Sequence, residues 1–295
     1  MGKFRNALRT RGKAYCILFT CLATRAVHID LSHDYSTDGF LQVLRRFACL
    51  RGWPRSFFSD KGSQLVGASK ELKGVVSNLD ESRIIRYNAN QGTTWRFAAP
   101  NAKWMNGVTE SLVKTVKKAL ESAIGEQVME FSSLQTVLFE ASEMVNSRPI
   151  GMMPASIDEG SYLAPNDMLL GRTTNAVPQE GFVINERIHR RYYFVQEVAS
   201  SFWKKWVQLV FPNLVVRTKW HTEKRAVKVG DVVMVKDGEA MRSTWKLAKV
   251  VGTARSGDER VRRVMISYRN EGALTNTTVE RHVRSLVVLL PVEEQ

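Results

Sequence analysis

A short apolar run near the beginning of the chain limits the folds that it can adopt. Residues 15–19 (Tyr-Cys-Ile-Leu-Phe) carry no charge, and they do not alternate as a strand with one wet face would. A continuous run of this length is typical of a strand buried on both faces. Residues 26–31 do alternate, and they predict an antiparallel partner strand. We therefore expect a sheet covered by helices, in an α/β arrangement.

Helices and further strands follow up to about residue 150. Ser36 or Thr37 is placed to cap a helix over residues 38–50, and Gly52 follows the end of that helix. The other elements predicted in this region are strands that end at Ser59 and at Phe97, and helices near 68–79, at 108–123 and at 131–146. Strands first, and then strands alternating with helices, is a ribonuclease-H-like order.

The pattern changes twice in the second half of the chain. Residues 150–180 are rich in residues typical of loops, which indicates a domain boundary there. Residues 182–212 are predicted to be helical and aromatic. Short alternating strands are predicted at 231–235, 247–251, 264–267 and 283–289, and they are typical of a small SH3-like barrel. The predicted domains are thus a core at 1–150, a linker with a helical segment at 151–224, and an all-β SH3-like barrel at 225–291.

The charge of the chain indicates a polyanionic partner. The formal net charge is +14, and the sequence pI is about 9.9. Residues 1–55 carry ten Lys/Arg against three Asp/Glu, and residues 181–295 carry twenty-one against twelve. Nucleic acid is the simplest partner for such a chain. The alternative is a basic protein without a polyanionic partner.

Cysteine usage and hydropathy exclude several other classes of protein. Cys16, Cys21 and Cys49 form no Cys-x-x-Cys pair, so neither a disulfide framework nor a zinc site is indicated. Cys16 and Cys21 lie in apolar sequence, and we expect them to be buried, reduced thiols. The longest apolar run is too short to cross a bilayer, and no signal peptide is visible. We expect a nuclear or cytoplasmic protein that is not secreted and has no membrane partner.

Two carboxylates stand where phosphoryl-transfer chemistry places its metal ligands. Asp60 directly follows a predicted strand, and Glu110 lies in the first turn of a predicted helix. Carboxylates in these two positions can converge on one metal pair, because Mg²⁺ and similar hard cations prefer oxygen ligands. The alternative for Asp60 is a turn-forming residue. For Glu110 it is an acid that stabilises the helix dipole.

Three lysines follow Glu110 on the same predicted helix. Lys114 and Lys117 stand four and seven residues after Glu110 and share its face, and Lys118 is next to Lys117. They are candidate phosphate-binding residues. The alternative for Lys114 is an ordinary surface pair with Glu110.

The predicted barrel carries a second basic group. Arg260, Arg262 and Arg263 are assigned to a barrel loop, where they are candidates for phosphate contact; the alternative is a solvated turn. The aromatic residues between 192 and 206 fall at helical spacing and are expected to form core rather than a base-stacking platform. The five histidines share no metal-binding spacing, and His28 is expected to be structural.

In combination, these motifs resemble the integrases of Pao/BEL-type LTR retrotransposons and, more loosely, retroviral integrases with an Asp-Asp-Glu triad. The resemblance covers nearly the whole chain. It implies that Asp60 is the second triad residue and Glu110 the third. The family's first Asp lies on a strand upstream, and no residue of this sequence matches it. The matching stretches are residues 18–28, 44–47, 51–52, 59–63, 106–110, 146–149, 169–172, 228–231 and 245–250.

The resemblance also implies a reaction and its partners. These integrases use Mg²⁺ or Mn²⁺ to hydrolyse a phosphodiester at a DNA end and then transfer that end into target DNA. Their partners are the element ends and the target DNA, and they work as homo-oligomers. Because the first Asp is missing, we expect this chain to be an N-terminally truncated integrase segment that is inactive as given. The alternative is a non-catalytic nucleic-acid-binding protein derived from a retroelement.

The missing segment has a structural consequence. In the family it forms the central strand, between the strand of residues 15–19 and the strand of residues 57–59. We expect residues 3–13 to form a loop or a frayed arm, and residues 3–11 are too polar and basic to replace a buried strand. Asp30 is expected to lie on the outer strand, too far away to supply the missing carboxylate.

Overall fold

The computed structural model describes residues 2–5, 11–59, 81–89, 92–97, 107–152, 162–171, 186–214, 225–237, 242–255, 257, 260–269 and 275–294. The chain forms two compact units. The first consists of Met1–Leu22, Val27–Lys114 and Ile124–Ser142, and the second of Ala23–Ala26, Thr115–Ala123 and Glu143–Gln295. The helix predicted near residues 68–79 lies outside the described residues.

The described residues of the first unit contain six strands. A four-stranded sheet has the order β3-β2-β1-β6, in which β1, β2 and β3 are antiparallel neighbours and β1 runs parallel to β6. A separate pair is formed by β4 and β5, which are parallel. The strands are β1 (Gly2–Arg5), β2 (Arg11–Thr20), β3 (Val27–Ser32), β4 (Ser56–Ser59), β5 (Thr94–Phe97) and β6 (Met129–Glu130).

The N-terminal residues contradict the prediction of a loop. Gly2–Arg5 is a strand, and β2 already begins at Arg11. The two strands pair from Gly2 opposite Ala14 to Arg5 opposite Arg11. Main-chain hydrogen bonds hold such a ladder whatever the side chains are, and for this reason the polar composition misled the prediction. The pairing with β1 stops at Ala14, and in the described part of the sheet the rest of β2 pairs with β3 alone.

Four of the described helices agree closely with the sequence predictions, whereas the helices over residues 81–89 and 165–170 were not predicted. Ser36 caps the first helix and accepts a hydrogen bond from the Gly39 backbone N–H at 3.0 Å. A Cβ at Gly39 would lie 2.3 Å from Asp34 Oδ1, so a larger residue there would force the Asp34 side chain to move. Gly52 ends the helix with φ of 80°, a value that glycine adopts without strain. The helices are α1 (Thr37–Arg51), α2 (Glu81–Ala89), α3 (Gly107–Ile124), α4 (Phe131–Asn146), α5 (Pro165–Leu170) and α6 (Glu186–Leu214).

The prediction that Cys16 and Cys21 are buried was wrong. Cys16 on β2 and Cys21 just after it are both exposed, as is Cys49. An apolar run indicates a strand, but it does not show which of its side chains will be covered. All three cysteines are free thiols.

The second unit holds a five-stranded antiparallel sheet with the order β12-β11-β10-β9-β13. Its apolar core consists of Val233, Val235, Ala248, Val250, Val264, Ile266 and Leu286. The strands are β9 (Val232–Val235), β10 (Lys246–Arg255), β11 (Val261–Tyr268), β12 (Thr277–His282) and β13 (Leu286–Leu290). The short strands β7 (Gly151–Met152) and β8 (Tyr162–Leu163) pair with each other in the same unit.

Helix α6 contributes aromatic core to this unit. Phe202, Trp203 and Trp206 are all buried, and Trp203 meets Trp245 in an edge-to-face contact with ring centroids 5.2 Å apart. The prediction that the aromatic residues between 192 and 206 form core is confirmed for these three, whereas Tyr192 and Tyr193 are exposed. Among the helices that the structure describes, each is too short or too polar to cross a bilayer.

Candidate functional site

The two acids of the predicted metal site are only partly described. Strand β4 ends at Ser59, and Asp60 lies outside the described residues. Glu110 is in the first turn of α3, which begins at Gly107, but its side chain is not described. No three His, Cys, Asp or Glu side chains come together as a metal site in the described ranges. The metal site at Asp60 and Glu110 therefore stays a prediction.

Asp30, the buried acid of the first unit, is engaged in a structural network. It lies on β3, the last strand of its sheet, and is 1% exposed. Its Oδ2 accepts a hydrogen bond from Arg46 Nε at 2.6 Å, and its Oδ1 accepts one from Gln135 Nε2 at 3.1 Å. The Leu31 backbone N–H adds a third at 2.7 Å. Recruiting this carboxylate to a metal would remove the ion pair with Arg46, whose side chain is 43% exposed, and the hydrogen bonds from Gln135 and Leu31.

Helix α3 presents its lysines to solvent. Lys114, Lys117 and Lys118 are all exposed. Lys117 Nζ lies 3.8 Å from Glu121 Oε1, and both of these side chains are 61% exposed. An exposed pair of this kind contributes less than about 1 kcal/mol. Phosphate contact by these lysines therefore meets little competition from the Glu121 pair.

The sequence predicted that Arg260, Arg262 and Arg263 share one barrel loop, but they do not. Arg260 precedes β11 and is exposed, whereas Arg262 and Arg263 lie within β11. The ladder between β11 and β12 begins with Arg263 opposite His282. This pairing extends β11 beyond its apolar residues. The ladder with β10 shifts register beside them, with Ala254 opposite Arg263 and Arg255 opposite Val261, so Arg262 is an extra residue on β11. Arg263 Nη1 lies 3.6 Å from Glu280 Oε1.

Residues 146–149, which carry part of the resemblance, form a buried junction. Ser147 Oγ donates to Glu143 Oε1 at 2.7 Å, and Ser243 Oγ also donates to the Glu143 carboxylate. Arg148 is 6% exposed, and it donates to the backbone carbonyls of Val145 and Arg25, each at 2.7 Å. Burial, helped by repulsion from Arg25, lowers the pKa of Arg148 to about 10. This motif therefore has a packing role that its sequence did not reveal.

Residues 228–231 have an equally definite structural role. Asp231 is fully buried, and its carboxylate accepts two hydrogen bonds from Arg225 at 2.7 and 2.8 Å. The backbone N–H groups of Lys228 and Val292 add two more, each at 2.9 Å. We call Arg225, Lys228, Asp231, Val292 and Glu293 the Asp231 clasp. It ties the segment before β9 to the segment after β13.

Charge and close packing maintain the Asp231 clasp. Burial alone would raise the pKa of Asp231, but the hydrogen bonds from Arg225, Lys228 and Val292 outweigh burial and lower it. The pKa of Arg225 is raised by its hydrogen bonds to Asp231 and Glu293. Gly230 has φ of 98°, and a Cβ there would lie 2.7 Å from Val292 Cγ2. A larger residue in its place would be strained at this φ and would collide with the Val292 side chain.

His28 is a titratable group that sequence reasoning placed correctly as structural. It is 8% exposed, and its Nε2 has no hydrogen-bond partner among the described residues. The rings of Phe19, Phe47 and Phe139 have their centroids 5.5 to 6.4 Å from the imidazole. Burial lowers the pKa of His28, and Arg51 lowers it further.

Comparison with known proteins gives one partial family match. Residues 190–289 match a family of unknown function (DUF5641). The matched region runs from α6 to β13, so that it contains the helix together with the five-stranded sheet. No curated protein sequence matches the chain. Among solved structures, the chain is similar to a chain in the intasome of simian T-cell lymphotropic virus in complex with the PP2A regulatory subunit B56 gamma. The TM-score is 0.34 and the sequence identity is 10%, and the match covers 98% of this chain and 76% of that chain.

Proposed function

We propose that this chain is a segment of a retroelement integrase, of the Pao/BEL type that its motifs resemble, and that it binds DNA through backbone phosphates. The observation that carries the proposal is a set of three exposed lysines on an 18-residue helix that has Glu110 in its first turn. Asp60, the other proposed metal ligand, directly follows the parallel strand β4 in the sequence. Exposed lysines suit contact with a phosphodiester backbone, and the two acids are proposed to bind metal ions beside it.

The proposed fold is a ribonuclease-H-like core joined to an SH3-like barrel. Three antiparallel strands, a helix and a parallel strand pair follow one another in the first unit, which supports the core. Five antiparallel strands around an apolar centre support the barrel. The net charge of +14 supports a nucleic-acid partner.

Mg²⁺ or Mn²⁺ is the proposed cofactor, and Asp60 and Glu110 are the residues that would hold it. When bound, the metal neutralises charge on the phosphate and activates the attacking oxygen. Two carboxylates satisfy the oxygen preference of these cations, but they leave the site one acid short of the family's triad. Asp30 does not complete the set, because it is held by Arg46 and Gln135.

A non-catalytic DNA-binding protein derived from a retroelement is the second candidate. The engagement of Asp30 favours it, since hydrogen bonds from Arg46 and Gln135 already occupy that carboxylate. The two candidates differ in their need for metal, because simple binding requires no divalent ion. We expect residues 1–295 to retain DNA without joining strands, and robust Mg²⁺-dependent joining of an oligonucleotide would select the first candidate.

The lysines of α3 provide a direct test of DNA binding. The double substitution Lys114→Glu with Lys117→Glu is expected to weaken binding of a 20-base-pair duplex and to flatten the salt dependence, since each lost phosphate contact removes ~0.9 from the slope of log K against log salt. Fluorescence anisotropy over a range of NaCl concentrations measures both quantities.

Lys204→Glu with Lys205→Glu is a control matched in charge. Both lysines are exposed on α6, so the net charge changes by the same amount in both double variants. We expect a smaller loss of affinity in the control. Equal losses in the two would mean that overall charge, rather than the α3 surface, determines binding.

A further inference from the structure

One exposed carboxylate of the second unit is held by two cations at once. Arg225 Nη2 donates to Glu293 Oε2, and Lys228 Nζ donates to Glu293 Oε1. The side chains of Lys228 and Glu293 are 57% and 46% exposed. Each carboxylate oxygen thus has its own cationic partner, in a position that solvent and ligands can reach.

Arg225 does not depend on Glu293 for its order or its charge balance. Its two terminal nitrogens already bind the buried Asp231 carboxylate at 2.7 and 2.8 Å. Without Glu293, the guanidinium would keep this bidentate partner. The charges of Arg225 and Lys228 would then exceed that of Asp231 by one, and a vacant position for an anion would face solvent.

The backbone delivers Glu293 to these cations. The N–H of the preceding residue, Val292, donates to Asp231 Oδ1 at 2.9 Å, and Val292 packs against Gly230. The carboxylate is therefore an intramolecular ligand at high effective concentration. Exposed ion pairs nevertheless contribute only ~0.2–1 kcal/mol, so an external anion with several charges is able to displace it.

We propose that Arg225 and Lys228 form a phosphate-binding site for the nucleic-acid backbone, and that Glu293 occupies this site when no nucleic acid is bound. The proposal rests on the DNA binding proposed above. A phosphodiester offers two unesterified oxygens where the carboxylate has its two, and guanidinium and ammonium groups bind both kinds of anion through charge-assisted hydrogen bonds. Glu293 is then an internal competitor that lowers the affinity for nucleic acid.

The test compares Glu293→Gln with Glu197→Gln in the full chain. Glu197 is exposed on α6, and each substitution removes one negative charge. Binding of a 20-base-pair duplex is measured by fluorescence anisotropy at low salt. We expect Glu293→Gln to bind about two- to fivefold more tightly than wild type, which is the fold-change that an exposed ion pair of up to ~1 kcal/mol represents. Glu197→Gln should stay close to wild type.

A second variant shows whether the gain in affinity for the duplex arises at Arg225 and Lys228. Adding Lys228→Ala to Glu293→Gln should abolish the gain, while the Lys228 backbone N–H still donates to Asp231. Thermal unfolding of each variant verifies that the Asp231 clasp is intact. If the wild type binds the duplex but Glu293→Gln gains no more than Glu197→Gln, the phosphate site is wrong and the proposed function stands. If neither the wild type nor Glu293→Gln binds the duplex, the proposed function fails and this site fails with it.

Discussion

His28 gives the first unit a pH dependence that can be assigned to a single residue. Burial among three aromatic rings lowers its pKa below the ordinary value of 6.5. The charged groups that act on it are Arg46 and Arg51 of α1, which lower the pKa, and Asp30 of β3, which raises it. Since burial is the largest of these effects, the folded chain prefers the neutral imidazole.

The sign of the effect on stability follows from that preference. As the pH falls below 6.5, the unfolded chain binds a proton at His28 before the folded chain does, so stability is lost. We expect the unfolding temperature of the first unit to fall between pH 7 and 5, and His28→Phe to flatten this decline. Circular dichroism melting curves at each pH measure the unfolding temperature. His33→Phe, at an exposed histidine, should keep the wild-type slope, and a His28→Phe variant with that same slope would rule out this role.

Residue roles were predictable from sequence only where a local pattern sets them. Ser36 was identified as a candidate cap because capping depends on residues within one turn of the helix. The role of Asp231 depends on Val292, 61 positions away, and nothing in the local sequence indicates that contact. The exposure of Cys16 similarly depends on what covers β2, which an apolar run does not reveal.

At the scale of elements, α6 and the five-stranded sheet form one packed unit. Trp203 is 3% exposed, and its contact with Trp245 joins the helix to the residue just before β10. Trp203→Ala is expected to cost about 3–5 kcal/mol, because it removes a large buried side chain and leaves a cavity. Chemical denaturation gives the free energy, and faster hydrogen exchange in β10 should accompany the loss.

Tyr193→Ala is the control on the same helix. Tyr193 is 57% exposed, and exposed substitutions usually change stability by less than about 1 kcal/mol. Similar losses in the two variants would show that Trp203 is not part of the shared core.

Long elements with clear periodicity were predictable, and short polar ones were not. The predicted helix over residues 131–146 has the bounds of α4, because its apolar stripe repeats over several turns. Strand β12 was missed, since only Val279 interrupts its polar sequence Thr-Thr-Val-Glu-Arg-His. It forms because β11 offers a complete row of hydrogen-bonding groups. Tertiary pairing decided the structure there, as it did for β1.

At the scale of the whole molecule, the sequence suggested a candidate site that the described residues do not yet test. Asp60 and Glu110 were identified by the sequence motifs around them and by their positions in the predicted strand and helix. Their side chains are not among those described. Residues 143–152 belong to the same compact unit as the C-terminal sheet, a grouping created by contacts such as that between Glu143 and Ser243. Contacts across 100 positions leave no periodic signal in the sequence.

We propose that this chain binds DNA through backbone phosphates and needs no divalent ion to do so. The most direct test is a salt titration of the full chain on a 20-base-pair duplex, performed once in EDTA and once in Mg²⁺. We predict tight retention at low salt in both, with log K falling linearly against log salt at ~0.9 per phosphate contact. Absence of binding at the lowest salt, or an affinity that does not change with salt, would contradict DNA binding through backbone phosphates.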